Sequence, residues 1–179
     1  MLTTPNCARC INRMALNIVL VEPEIPQNTG NVARTCAAVG ARLHLVHPLG
    51  FTITDSKLKR AGMDYWYQVE VIHHKNFEAF WNSIPHDKVW LSTTKAFRLH
   101  SEVRFADEDY LIFGKESAGL PEEVLEQNLN RTLRIPMLPE RRSLNLSSAV
   151  AVVTYEALRQ LNFPNLQNWG PRRDGSRFT

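Results

Sequence analysis

Six short apolar runs recur along the chain: LNIVLV (16–21), RLHLV (42–46), QVEVI (68–72), KVWLS (88–92), DYLIF (109–113) and TLRI (132–135). Each is too short for a helix, and β-branched or aromatic residues are frequent in them, so each reads as a strand. Amphipathic stretches lie between them: from Asn28 or Thr29 to about Val39, then DSKLKRAG (55–62), NFEAFWNSI (76–84), about Glu122 to Gln127, and about Leu146 to Leu161. Asn28 or Thr29 is the expected cap of the first helix and Gly40 its stop. A chain that alternates strand and helix throughout closes its crossovers right-handed and builds a parallel sheet. The expected class is α/β, with a mostly parallel sheet of about six strands and helices on both faces.

Composition narrows the function classes. With 179 residues, 44% hydrophobic, the chain can bury one full core, and we read one domain over 14–162. Residues 1–13 (MLTTPNCARCINR) read as an unstructured leader, and 163–179 (FPNLQNWGPRRDGSRFT) as a basic, flexible tail. A net charge of +3 permits nucleic-acid binding without requiring it, so the placement of cations must carry that reading. No apolar run approaches the roughly 20 residues of a membrane span. Cys7 and Cys10 form one C-x-x-C, but a structural zinc needs four ligands and no second pair is present. We expect a cytoplasmic protein that uses no metal and touches no membrane.

Open parallel sheets bind ligands beyond the carboxyl ends of their strands. Three loops there are candidates: EPEIPQNTGNVAR (22–34), GKESAGLP (114–121) and the segment 136–147. The first has prolines where a dinucleotide fingerprint needs glycines, and no P-loop or G-x-S-x-G occurs. The richest polar set is Asn28, Asn31 and Arg34, with Glu116 in the second loop and Ser143 and Asn145 in the third. A lone Arg on a helix is ordinarily a solvated charge, yet this one follows Asn28-x-Gly30-Asn31 at a strand's end. In RIPMLPERRSLNLSSAVAVVTYEALRQL (134–161), Ser143, Asn145, Ser147 and Ser148 exceed what one helix cap requires. Either they compete for the cap and face water, or they build a site. His73 and His74 read as surface residues.

The three loops, in this order and spacing across about 17–161, resemble the three motifs of the SPOUT superfamily of RNA methyltransferases, in its SpoU-like 2′-O-methylating branch. HPLGF (47–51) and LKRAGMDYW (58–66) are similar to its small TrmL-type members. The resemblance implies a C-terminal deep trefoil knot, S-adenosylmethionine as cofactor, a homodimer, and tRNA as partner. It implies methyl transfer to the 2′-hydroxyl of the wobble nucleotide, cytidine or a modified uridine, in leucine isoacceptors. By motif position Ser92, Thr93, Gly114, Ile135 and Ser143 would contact the cofactor. Arg34, Asn28 and Asn145 would be catalytic, with Arg34 stabilising the developing alkoxide or holding a phosphate, because a guanidinium stays charged. Lys57, Lys59, Arg60 and Arg142 would contact RNA, and the tail's Arg172, Arg173 and Arg177 could extend that track. The second motif reads GKESAG where the branch commonly has GPETRG; an arginine is missing and Lys115 adds a charge. The alternatives are a silent knotted RNA-binding protein, a 2′-O-methyltransferase for another tRNA or rRNA position, and a generic nucleotide-binding domain.

Overall fold

In the computed structural model, which describes residues 16–52, 66–167 and 170, the six runs pair as one sheet. The strands are β1 (Asn17–Val21), β2 (Arg42–Val46), β3 (Val71–His74), β4 (Val89–Ser92), β5 (Tyr110–Phe113) and β6 (Thr132–Leu133). The helices are α1 (Pro26–Val39), α2 (Phe77–Trp81), α3 (Glu122–Gln127) and α4 (Leu146–Gln160). The expected helix at 55–62, with Lys57, Lys59 and Arg60, lies outside the described residues, as do the leader with its C-x-x-C and the tail's arginines.

The strand order is β3-β2-β1-β5-β4-β6, and every pair is parallel. Alternation along the strands sends side chains to two cores. Ile18, Leu20, Leu43, Leu45, Leu111 and Phe113 pack with Val32 and Cys36 of α1 and with Val150, Val153 and Ala157 of α4. Val19, Val21, Val89, Leu91 and Ile112 pack on the other face with Phe80 of α2 and Leu125 of α3. Helices therefore cover both faces, as the near-continuous apolar strands require.

Besides α2, which spans Phe77–Trp81 and not 76–84, three elements differ from the sequence expectation. The third strand sits at Val71–His74 and not at 68–72, because pairing with β2 sets its register (Leu43 opposite Val71, Val46 opposite His74) and Gln68 ends a 3-10 turn. His74 is consequently half-buried: its Nε2 lies 2.9 Å from His44 Nδ1 and the rings stack. β6 stops at Leu133, since the Arg134 amide leaves the β4 ladder to donate to Arg98 at 2.9 Å, while its carbonyl accepts from His100 at 2.8 Å. The first helix begins at Pro26 with Ile25 as its N-cap and no side-chain cap bond, so neither Asn28 nor Thr29 caps it. Proline at the first position withholds an amide that would otherwise need a partner.

Candidate functional site

The chain leaves β1 toward β2 on one side, and leaves β5 toward β6 on the other. Loops diverge at such a switch point and open a crevice. A cavity of about 580 Å³ lies there, walled by the segments after β4, β5 and β6 and by the start of α1. Ser92, Thr93, Gly114, Ile135, Ser143, Asn28, Asn145 and Arg142 all line it.

One chain of hydrogen bonds joins the three loops. The Glu116 carboxylate accepts from the amides of Glu24 (2.8 Å) and Ile25 (3.3 Å), and from Asn28 Nδ2 (2.8 Å). Asn28 Oδ1 then accepts from Asn145 Nδ2 at 2.9 Å. Asn145 Oδ1 accepts from the amides of Ser147 (3.0 Å) and Ser148 (3.4 Å), capping α4. Asn145 is thus both the helix cap and a cavity wall, which resolves the surplus polarity of that turn. Ser147 Oγ donates to the same oxygen at 2.7 Å. Asn28 is buried within this relay, where its amide must be paired.

The second loop grips the first by two further contacts. Lys115 Nζ sits 2.9 Å from Glu22 Oε2, and the carboxylate holds the ammonium above its ordinary value. Ser117 donates through its amide (2.9 Å) and hydroxyl (2.8 Å) to Glu24, whose acidity is raised first by that hydroxyl and then by the amide. The departure GKES therefore ties loop to loop, and the Lys115 charge is directed at Glu22. Gly114 permits this fold of the loop: a Cβ there would run into the backbone of Gly119 and Leu120. Gly119 itself has φ of 74°, the left-handed region that suits glycine.

Arg34 stands apart. Six residues beyond Asn28, it points about 120° around the helix and about 9 Å along it. It is exposed, with Gln27, Asn31 and Ala38, and does not line the cavity. Cys36 is buried and its thiol is pushed up to about 12, so it stays protonated and is no nucleophile. Sequence reasoning passed over Met137, Leu144 and Lys95, which also line the cavity. Only position could have signalled them: Lys95 and Met137 follow strand ends closely, and Leu144 lies two residues before α4. Among the described residues no group of three or more His, Cys, Asp or Glu could hold a metal ion, and no helix is long and apolar enough to cross a membrane.

Residues 15–155 match the SpoU rRNA Methylase family. The chain belongs to that family. This SpoU-type chain is 51% identical over 148 residues to a tRNA (cytidine(34)-2′-O)-methyltransferase of Saccharophagus degradans, covering 82% of itself and 96% of that relative. It superposes with a TM-score of 0.78 and 51% identity on a solved structure concerned with 2-OH methylation of C/U34 on tRNA, covering 84% of itself and 98% of that chain. An AdoMet-bound rRNA methyltransferase from Sinorhizobium meliloti is similar at 26% identity and a TM-score of 0.71, with 82% of this chain and 57% of that one covered.

Proposed function

We propose that this chain transfers a methyl group from S-adenosylmethionine to the ribose 2′-hydroxyl of nucleotide 34, the wobble position, of tRNA. The observation that carries the proposal is the convergence of its three motif loops on one cavity, tied through Glu116, Asn28 and Asn145, in a chain spanning 96% of its cytidine(34)-methylating relative. Leucine isoacceptors carrying cytidine or a modified uridine at that position are the substrates we assign.

The lining fits the cofactor. Leu120, Ile135, Met137 and Ala149 offer apolar walls for a purine, while Ser92, Thr93 and Ser143 offer hydroxyls for ribose and amino-acid groups. The volume falls within the range of small-molecule sites, roughly 300–1,000 Å³. When bound, S-adenosylmethionine supplies an electrophilic methyl group on a sulfonium. The protein's task is then to orient a hydroxyl, exclude water and stabilise the charge that develops on oxygen. Asn28 and Asn145 hold the loops in place for this. Arg142, at the cavity wall, contacts RNA phosphate, joined by Lys57, Lys59 and Arg60.

Arg34 stabilises the developing alkoxide or clamps the neighbouring phosphate with its planar fork. Its position away from the cavity of its own protomer supports a homodimer, in which Arg34 approaches the partner's cavity. The chain path supports the family's deep trefoil knot. The extension of β6 is stitched to Arg98 and His100, while Gln160 at the end of α4 bonds Val103 and Phe105 in the segment between β4 and β5.

The test is methylation of bulk tRNA by the purified protein, with the product position read by mass spectrometry of nuclease fragments. The methyl group should fall on the ribose of nucleotide 34. Arg34→Lys, which keeps the charge and loses the fork, should lower turnover roughly 100-fold with cofactor affinity retained. A methyl group at another nucleotide would overturn the substrate, and wild-type turnover by Arg34→Lys would overturn the role of Arg34. A mixed dimer of Arg34→Ala and Gly114→Ala protomers should regain activity if the sites are shared between subunits.

A further inference from the structure

Phe97 is 96% exposed. It belongs to an excursion at the carboxyl end of β4. Ser92 pairs with Leu133, and the next bridge pairs Leu99 with Arg134. One step along β6 is thus matched by the six residues 93–98 in between. Both limbs of the excursion are held. The Thr93 amide donates to Leu133 (2.9 Å), Arg134 donates to the Arg98 carbonyl (2.9 Å), and the Leu99 amide donates to Glu102 (2.8 Å). Ala96 is buried and anchors the turn from beneath. Thr93, Thr94 and Lys95, on the near limb, line the cavity. The ring is therefore displayed at the surface, on a backbone pinned at both limbs and two residues from the lining residue Lys95.

We propose that Phe97 is a stacking platform for an unpaired base of the RNA substrate, a nucleotide next to the one that is methylated. The inference rests on the proposed action on tRNA. Single-stranded bases are recognised by stacking on exposed aromatic rings set among cations. The residues around Phe97 match that pattern: Arg98 is exposed beside it in the chain, Lys95, two residues before it, lines the cavity, and Arg142 lines the same cavity. Lys95 and Arg98 are themselves oriented, the first by Glu122 at 2.7 Å and the second by the Asn130 carbonyl at 3.3 Å. A cationic, preoriented surround favours a nucleotide over an apolar protein partner.

The experiment compares wild type, Phe97→Ala and Phe97→Trp for KM toward tRNA, for binding of an anticodon stem-loop RNA, for S-adenosylmethionine affinity by calorimetry, and for mass by sedimentation. Phe97→Ala should raise KM and weaken stem-loop binding by about 5-fold or more. Phe97→Trp should restore both, and cofactor affinity and mass should not change. Unchanged KM and binding in Phe97→Ala would overturn the inference. So would a fall in mass, which would assign the ring to a contact with a second copy of the chain. If the wild type binds the stem-loop but methylates neither it nor tRNA, the proposed reaction falls, and the binding comparison still decides the role of Phe97.

Discussion

Replacing Asn28 by aspartate separates packing from electrostatics at the centre of the site. The two side chains have nearly the same shape, so packing alone makes Asn28→Asp milder than Asn28→Ala. The hydrogen bonds say otherwise. Asn28 donates to Glu116 at 2.8 Å and accepts from Asn145 at 2.9 Å. Alanine loses a charged bond, about 1.5–3 kcal/mol, and a neutral one, about 0.5–1.5 kcal/mol, so roughly 2–4.5 kcal/mol in all. Aspartate keeps the bond from Asn145 but sets a second carboxylate oxygen against Glu116. Two unit charges about 4 Å apart repel by about 4 kcal/mol at an effective dielectric of 20. The pair can escape only by binding a proton, which at pH 7 costs about 4 kcal/mol for a carboxyl of ordinary pKa near 4. Aspartate is therefore no milder than alanine at pH 7. At pH 5 the proton costs only about 1.4 kcal/mol, so Asn28→Asp should recover by about 2.7 kcal/mol relative to wild type. The sign follows because the folded pair holds a proton that the unfolded chain lacks in this window, so stability rises as pH falls. Urea melts of the three proteins at pH 7 and pH 5 measure this. An Asn28→Asp deficit that is smaller than that of Asn28→Ala and independent of pH would refute the relay as the force holding the loops together.

Two further outcomes are expected besides those given for Arg34 and Phe97. Gly114→Ala forces a Cβ into the backbone of Gly119 and Leu120 and should abolish measurable S-adenosylmethionine binding in calorimetry; wild-type affinity would show that the loop can shift. His44 is held at about 4, first by burial and then by the neighbouring His74 and Arg42. The unfolded chain takes up that proton near pH 6.5 and the fold only near 4, so stability should fall as the pH drops through this interval, by roughly 3 kcal/mol. His44→Gln should flatten the decline in thermal melts, and an unchanged slope would assign it to other groups.

The alternation of strand and helix was readable because β-branched runs and amphipathic periods are properties of a few neighbouring residues. The parallel class and both core faces followed from it, and so did the placing of three loops at strand ends. Motif order then supplied the family. Strand register was decided elsewhere: β3 moved to Val71–His74 because its partner β2, not its own pattern, sets which residues face His44 and Phe80. The same holds for the opening turn of α1. There the amides of Glu24 and Ile25 are satisfied by Glu116, a carboxylate roughly ninety residues away along the chain, while Asn28 is released to the relay.

Ser143 and Asn145 show the division most clearly. Local chemistry identified a turn with more polar groups than one cap could use. Whether those groups met solvent or a site depended on which loops the topology carried to the same crevice. That depends on contacts such as Asn28 to Asn145, 117 residues apart. Arg34 shows the converse. Its place in the motif was plain, but helical geometry turned it away from the cavity. Side-chain type is local information; which side chains converge depends on the path of the whole chain.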